Sequence, residues 1–193
     1  ATDLGRLFPD AAADFIQAHG GKIYLSSRIE QVAPPLEIQG ATFDRVILAV
    51  APQHAAGLLG KHAATAPIAE MLDGYAFEPI GTVYAGYPPE VRLPCPMLGL
   101  DGGKDGRLGQ WVFDRGTLGG TLGVMGFVLS AQGAWDERDS TSLLAALHGE
   151  LEEALGSKLP QPLWHQVIRE RRATFSCRPD LPRPKAKTPL RGL

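Results

Sequence analysis

Residues 43–59 constrain the fold of this chain more than any other stretch. Apart from Asp44 and Arg45, Phe43 to Ala51 is a run of small, β-branched and apolar residues that ends in Ala-Val-Ala, and Pro52 opens an apolar segment that continues to Leu59. This pattern is typical of a buried strand that turns directly into a helix. Small side chains at the end of such a strand leave a backbone edge that a flat ligand can approach closely.

The preceding residues extend the pattern. Pro9 to His19 is predicted to form a helix that ends at Gly20, and Lys22 to Val32 is a second extended run. Together with residues 43–50, this run predicts a β-hairpin or a three-stranded meander. Further helices are predicted at residues 53–60 and 66–72.

From residue 75 onwards, short strands alternate with turns rich in glycine and proline. Four antiparallel strands are predicted, at residues 80–87, 97–100, 109–114 and 121–130. Ser140 to Leu155 is the clearest helix, because its leucines form one stripe and either Asp139 or Ser140 can cap its first turn. Gly156 ends this helix, and Leu163 to Arg172 is predicted to be a final strand. The sequence therefore indicates an α+β fold, in which an antiparallel or mixed sheet carries helices on one face.

Composition excludes several classes of protein. A chain of 193 residues with 44% apolar residues can bury a globular core. Its net charge of −2 argues against a nucleic-acid-binding protein. Cys95 and Cys177 lie far apart, without the spacing of a zinc site. No apolar run approaches the roughly 18 residues of a membrane-spanning helix.

No catalytic constellation is visible in the sequence. The five histidines lack the spacing of metal ligands, so we expect no metal site. His54, just after Pro52, is either a ligand-contacting residue or simply a polar residue at a helix start. His148 lies on the flank of the predicted 140–155 helix, where a packed or solvated histidine is the ordinary interpretation.

The predicted strand at residues 109–114 carries the most informative aromatic residues. Alternation places the side chains of Trp111 and Phe113 on one face of the strand and that of Val112 on the other. Half-buried aromatic residues on a sheet usually serve packing. A sheet rich in Trp, Phe and Met can instead form the floor beneath a long apolar ligand. The sequence leaves both interpretations open.

Three further patterns carry a resemblance to known enzymes. The Gly-Gly hairpin, followed by Val-Ile-Leu-Ala-Val-Ala-Pro at residues 46–52, resembles the flavin-containing amine oxidase and phytoene desaturase superfamily. Gln-Trp-Val-Phe-Asp-Arg at 110–115 and Arg-Arg-Ala-Thr-Phe at 171–175 narrow this resemblance to the squalene-associated FAD-dependent desaturases. These are also described as hydroxysqualene dehydroxylases of hopanoid biosynthesis. The resemblance runs over nearly the whole chain.

The resemblance implies an FAD-dependent reduction of hydroxysqualene to squalene, with hydride supplied by reduced flavin. It implies that residues near the adenine end of FAD are Ile29, Ala49, Val50 and Pro52, and that residues near the flavin ring are Arg172 and Phe175. It implies that the substrate tunnel is lined by Trp111, Phe113, Met125 and Phe127. For Arg171 and Arg172, a solvated strand end is the alternative. No catalytic residue is assigned.

A division into domains also follows from the resemblance. Residues 1–52 would form part of an FAD-binding domain, residues 53–167 the substrate-binding domain, and residues 168–193 a strand and an extended segment that return to the FAD-binding domain. The superfamily holds the FAD phosphates with a G-x-G-x-x-G loop and a later Ala-Gly-Asp segment, and neither occurs here. We therefore interpret the chain as a fragment that is inactive alone and binds FAD weakly or not at all.

Two alternatives stay open. One is a fragment of a flavin amine oxidase, and the other is a non-catalytic module that binds an apolar ligand. In the favoured interpretation, the partner is a polyprenoid substrate reached from the membrane surface by a cytoplasmic protein, with peripheral membrane contact and without nucleic acid. Neither the oligomeric state nor the electron donor follows from the sequence.

Overall fold

The computed structural model describes residues 5–32 and 36–193 and divides into two compact units. Unit 1 comprises the described residues up to Gly21 and Glu78–Thr174, and unit 2 comprises those from Lys22 to Phe77 and Phe175–Leu193. Residues 53–77, which the resemblance assigns to the substrate-binding domain, therefore lie in unit 2. Whether residues 1–52 and 53–167 differ in function as the resemblance implies stays a prediction.

The elements follow one another in the order α1 (Pro9–Ala18), β1 (Glu37–Ile38), β2 (Ala41–Thr42), α2 (Pro52–Leu59), α3 (Ala66–Asp73), β3 (Phe77–Gly86), β4 (Met97–Gly99), β5 (Trp111–Asp114), β6 (Val124–Ser130), α4 (Ser140–Leu155) and β7 (Trp164–Phe175). The predicted α+β class is confirmed. The predicted first helix is also confirmed, because α1 begins at Pro9 and is followed by Gly20 in the left-handed region, with φ of 78°.

Unit 1 is built on a five-stranded sheet with the strand order β4-β5-β6-β3-β7. β3 pairs with β6, β6 with β5, and β5 with β4, and all three pairs are antiparallel. The four predicted strands are therefore confirmed, with bounds that differ by a few residues. The predicted final strand is also confirmed and occupies the edge of the sheet beside β3.

One face of this sheet is buried against α4. The buried side chains of the strands are Val83, Ala85, Val112, Met125, Phe127 and Leu129, and they share one core cluster with Leu143, Leu147 and Leu151 of α4. Residues at every second position of a strand and every fourth position of a helix lie on one face, so the two stripes pack together. The predicted leucine stripe of α4 is confirmed.

The ends of α4 follow the predicted capping pattern. The Asp139 carboxylate accepts hydrogen bonds from the backbone N–H groups of Thr141 and Ser142, each at 3.0 Å. These N–H groups have no partner within the helix, so the cap satisfies them. At the other end Gly156 is left-handed, with φ of 63°, as expected for the residue after a helix.

Unit 2 contains two short helices, α2 and α3, packed on each other around a second apolar cluster. The buried members of this cluster are Ala55, Ala56, Leu59, Ala69, Leu72 and Tyr75. Pro52 is the first residue of α2, where a missing N–H costs nothing and the fixed φ suits the helix. Both helices were predicted from the sequence and are confirmed.

The strands predicted at the start of unit 2 are wrong. Neither residues 22–32 nor residues 43–50 form a strand, and the only hairpin in the described part of this region joins β1 and β2, of two residues each. Ile47 is 90% exposed and Val50 48%, so the run is not buried either. A strand needs a neighbour to pair with its backbone, and the Val46 N–H donates instead to the Gly192 carbonyl at 2.8 Å.

Candidate functional site

The second face of the unit 1 sheet, opposite α4, carries apolar side chains that stay partly exposed. We call it the open face. Its members come from alternate positions of the three central strands and are Thr82, Tyr84, Trp111, Phe113, Gly126 and Val128. Trp111 is 44% exposed and Met97, on the neighbouring strand, is 48% exposed. Apolar surface that a fold leaves unburied is the usual mark of a binding surface.

The structure separates the four residues predicted to line a substrate tunnel. Trp111 and Phe113 lie on the open face, as their alternation predicted. Met125 and Phe127 are 0% exposed and belong to the core beneath the sheet. The reason is the register, which sets Phe127 opposite the buried Val112. The substrate role of Trp111 and Phe113 stays a prediction, whereas Met125 and Phe127 serve packing here.

A cleft of about 220 Å³ opens on the open face. Gly126, in the central strand β6, stands between Tyr84 on β3 and Phe113 on β5. Because Gly126 has no side chain, the two aromatic rings wall a depression in the sheet surface. Thr82, Val128 and Arg115 complete its lining. Sequence reasoning missed Tyr84 and Gly126, because only the strand register brings them beside Phe113.

Two of the residues that line this cleft, Tyr84 and Arg115, carry hydrogen-bond donors. Within residues 5–32 and 36–193, neither the Tyr84 hydroxyl nor the Arg115 guanidinium forms a side-chain hydrogen bond or a salt bridge. The cleft therefore combines apolar walls with uncommitted donors, the combination that ligand sites use to bind and orient a mostly apolar molecule.

Buried Asp114 fixes the turn that carries Arg115. Its carboxylate accepts four hydrogen bonds: from the Leu93 N–H at 3.2 Å, the Thr117 N–H at 3.0 Å, the Thr117 hydroxyl at 2.9 Å and Arg92 Nε at 3.0 Å. Burial alone raises the pKa of Asp114, but the hydrogen bonds from Thr117, Leu93 and Arg92 hold it below its ordinary value. Asp114 is therefore an ionised structural anchor, with its carboxylate occupied by the protein.

Trp164 extends the aromatic surface at the edge of the sheet. A Cβ placed on Gly86 would overlap the Trp164 indole, so the ring lies directly over this glycine. The Leu163 N–H donates to the Gly86 carbonyl at 2.7 Å, which fixes the start of β7 beside the end of β3. Trp164 is 48% exposed, so its outer surface stays available.

A series of polar side-chain contacts lies on the other side of unit 1, where its members pack against one another. The Tyr87 hydroxyl lies 3.1 Å from His148 Nδ1, and His148 Nε2 lies 3.6 Å from Glu152 Oε1. Lys158 Nζ donates to the same carboxylate at 2.7 Å and lowers the pKa of Glu152, whereas burial raises the pKa of Tyr87. His148 is 6% exposed, so the packed interpretation of this histidine is confirmed.

Unit 2 has an apolar cleft of about 270 Å³. Of the four residues predicted near the adenine end of FAD, Val50 and Pro52 line this cleft, whereas Ile29 and Ala49 do not. The other lining residues are Leu48, Ala55, Leu59, Ile68, Leu72, Pro184, Lys185, Ala186, Thr188 and Leu193. Lys185 is the one charged residue among them. His54 does not line the cleft.

This cleft fits only part of an FAD molecule. Its volume lies below the roughly 300–1,000 Å³ of pockets that enclose a drug-sized ligand, and FAD is larger than such a ligand. The apolar walls suit a flat ring such as adenine. A pyrophosphate needs several free backbone N–H groups at a helix start. At the helix start beside this cleft, Pro52 has no N–H, and the His54 and Ala55 N–H groups already donate to the Ala51 carbonyl. The cleft therefore fits an adenine-like ring and not the phosphates.

Arg172 and Phe175, predicted near the flavin ring, have different surroundings. In unit 1, Arg172 is exposed and its backbone N–H donates to Glu170 Oε1 at 2.9 Å. In unit 2, Phe175 packs against the apolar cluster, with its ring centroid 5.6 Å from that of Tyr75. The Arg183 guanidinium lies 5.2 Å from the Phe175 centroid, a cation–π contact. The flavin contacts of Arg172 and Phe175 stay a prediction.

Neither a cluster of metal ligands nor a membrane-spanning helix occurs in the described part of the chain. No group of three or more His, Cys, Asp or Glu side chains in residues 5–32 and 36–193 is placed to hold a metal ion. No helix in the same part of the chain has both the length and the apolar content that crossing a bilayer requires.

Comparison with known proteins identifies the fold. No protein-family model matches the sequence, and no curated protein does. Among solved structures, the chain is similar to an Exiguobacterium protein assigned as a protoporphyrinogen oxidase (12% identity, TM-score 0.56, 86% of this chain and 39% of that one). It is also similar to a Pyrococcus furiosus protein (15%, 0.58, 83% and 41%) and to an oxidoreductase from Methanosarcina mazei (17%, 0.56, 84% and 41%).

At these identities the likeness establishes a shared fold. The chain spans about two-fifths of the length of each of these proteins, since it covers 39% to 41% of them. It thus has the architecture of one part of a larger fold.

Proposed function

We propose that this chain is part of an FAD-dependent oxidoreductase and supplies the floor of its substrate site. The observation that carries the proposal is the open face, on which Trp111 is exposed and Phe113 is half-buried beside a cleft whose donors have no protein partner among the described residues. The fold shared with proteins described as an oxidase and an oxidoreductase supports redox chemistry. The sequence resemblance supports FAD as the cofactor.

The substrate is a long apolar isoprenoid. The sheet has five strands, so the side of the sheet that carries the open face extends across four inter-strand spacings of about 4.8 Å, or roughly 19 Å. An extended chain of carbon atoms can lie across such a surface and bury apolar area along its length, at about 25 cal/mol per Å². The aromatic members of the face also match the flat alkene units of an isoprenoid.

Within this class we propose hydroxysqualene, reduced to squalene. When bound, reduced FAD would supply the hydride that replaces the hydroxyl group, with Val50 and Pro52 beside its adenine ring, and the oxygen would leave as water after taking up a proton. Overall, hydroxysqualene, anionic reduced flavin (FADH−) and a proton would give squalene, FAD and water. The part of this chain is to hold the isoprenoid and to keep water from the reacting carbon.

The experiment uses the product of the complete reading frame, loaded with FAD and reduced without oxygen. On mixing with hydroxysqualene, we expect flavin re-oxidation, followed by absorbance, and squalene, identified by mass spectrometry. Trp111→Ala and Phe113→Ala should slow re-oxidation about tenfold or more, because each removes a large apolar contact. Leu163→Ala, at a residue that is 70% exposed, is the matched control and should react at the wild-type rate.

Two outcomes would contradict the proposal. If an amine reduces the oxidised flavin and hydroxysqualene leaves the reduced flavin unchanged, the protein is an amine oxidase. If the complete product carries no flavin and still binds isoprenoids, it is a binding module without redox chemistry.

A further inference from the structure

The backbone of the cleft on the open face does not require glycine at position 126. Gly126 is absent from the glycines with positive φ, so any residue could adopt its conformation. A Cβ on Gly126 would lie 3.4 Å from Tyr84 Cε1, which is an ordinary van der Waals distance. The fold therefore tolerates a side chain at this position. What glycine provides is empty space between the rings of Tyr84 and Phe113.

The polar groups of the cleft are concentrated around this space. Arg115 follows Asp114 at the end of β5, and its backbone N–H donates to the Val124 carbonyl, two residues before Gly126 on β6. Arg115 and Tyr84 both line the cleft, and neither side chain has a hydrogen-bond or ion-pair partner in the part of the chain that the structure describes. Both side chains can donate hydrogen bonds, so they suit a ligand that carries an acceptor such as a hydroxyl oxygen.

The size of the cleft shows how much of a ligand enters it. A volume of about 220 Å³ is smaller than the pockets that enclose whole drug-sized molecules, and the cleft is open on one side. It therefore takes one segment of a longer molecule, while the remainder lies along the apolar surface of the open face.

We propose that Gly126, Tyr84 and Arg115 determine substrate specificity by binding the oxygen-bearing segment of an isoprenoid alcohol. The flat alkene next to the alcohol lies between the Tyr84 and Phe113 rings, above Gly126. The hydroxyl oxygen accepts hydrogen bonds from Arg115 and Tyr84. This inference rests on the proposed function, because it assigns the ligand of the open face to the isoprenoids. It adds that the hydroxyl-bearing segment is recognised, and that Gly126, Tyr84 and Arg115 recognise it.

The test compares farnesol with farnesene, a hydrocarbon of the same carbon number, in the purified 193-residue chain. Binding is followed by the intrinsic fluorescence of the three tryptophans, of which Trp111 lies on the open face. We expect wild type to prefer farnesol about tenfold, as hydrogen bonds to a charged donor allow. Tyr84→Phe and Arg115→Gln should each reduce this preference about threefold to tenfold and leave farnesene affinity unchanged. Gly126→Val should weaken both ligands about tenfold or more, by filling the space.

Two matched variants control for charge and for glycine replacement. Arg171→Gln removes the same charge from β7, and Gly149→Ala adds a side chain where nothing lies within 4 Å; both should bind like wild type. Gly126→Ala, whose Cβ fits, shows by its thermal melting curve that the site accepts a side chain.

The proposal is overturned if farnesol and farnesene bind equally to wild type, or if neither binds. It is also overturned if Arg115→Gln behaves like Arg171→Gln, or if Gly126→Val binds like Gly149→Ala. None of these readouts involves flavin. If the farnesol test fails while the complete enzyme still reduces hydroxysqualene, the proposed function stands and this inference is rejected. If farnesol binds as expected while the complete enzyme does not reduce hydroxysqualene, only the redox chemistry is rejected.

Discussion

Phe127 and Phe113 provide the sharpest test of which face of the sheet is core. Both are phenylalanines on neighbouring strands, yet Phe127 is 0% exposed against α4, whereas Phe113 is half-buried on the open face. Phe127→Ala removes a fully buried ring and leaves a cavity, which costs about 3–5 kcal/mol of unfolding free energy. Phe113→Ala removes a ring that keeps part of its contact with water, so its cost should be about half as large or less.

The consequence can be measured by thermal and urea unfolding. For a chain of this size, each kcal/mol lowers Tm by about 2–4 °C, so Phe127→Ala should lower it by about 6–20 °C. Farnesol binding should show the reverse order, with a larger loss for Phe113→Ala. The interpretation is refuted if Phe113→Ala is the more destabilised variant, or if Phe127→Ala keeps wild-type stability and loses binding, since Phe127 would then face the ligand.

Three further predictions concern the anchors of the fold and the cofactor. In wild type, the pKa of Asp114 is lowered, so its contribution to stability is complete above about pH 4, the unfolded value, and is lost as pH falls through the folded pKa. Asp114→Asn should therefore be less stable than wild type at pH 7 by about 1–3 kcal/mol. In urea titrations, this variant should also lose less stability than wild type between pH 5 and pH 2. In α4, Gly149→Ala should stabilise the chain by up to about 1 kcal/mol, whereas Gly156→Ala, at positive φ, should destabilise it by about 1 kcal/mol, as measured by Tm; equal effects would contradict the assigned helix end. Titration of FAD into the 193-residue chain should give little quenching of flavin fluorescence, and tight binding would show that the phosphates find a site after all.

Much of unit 1 could be predicted because its signals are local. The leucine spacing and the cap of α4 depend on residues within a few positions of one another, and Asp139 and Gly156 are where the helix begins and ends. The alternation of β5 likewise placed Trp111 and Phe113 on one face. Such patterns report directly on the backbone of their own segment.

The site could not be predicted in the same way, because it depends on how strands that are distant in sequence pair with one another. Whether Met125 and Phe127 face the core or the ligand depends on how β6 pairs with β5, and a shift of one residue would reverse every side chain. The same register brings Gly126 between Tyr84 and Phe113, residues far apart in sequence. Nothing in the sequence near Gly126 distinguishes it from the glycines that serve turns.

The error in unit 2 has a different cause. Residues 43–50 have the composition of a buried strand, but a strand is stable only where another strand pairs with it. No such neighbour lies beside them among the described residues, and Ile47 is accordingly 90% exposed. The composition of residues 43–50 suits a strand, but they do not form one because no neighbouring strand pairs with them among the described residues.

The three tryptophans allow the most direct measurement of the central claim, that the open face is a ligand surface. Trp111 and Trp164 are 44% and 48% exposed, whereas Trp135 is 4% exposed and its Nε1–H is bonded to the Ala131 carbonyl. In a ¹⁵N-labelled chain titrated with farnesol, the indole N–H signal of Trp111 should move most, that of Trp164 less, and that of Trp135 should stay in place. Movement of the Trp135 signal alone, or of none of the three, would contradict the account.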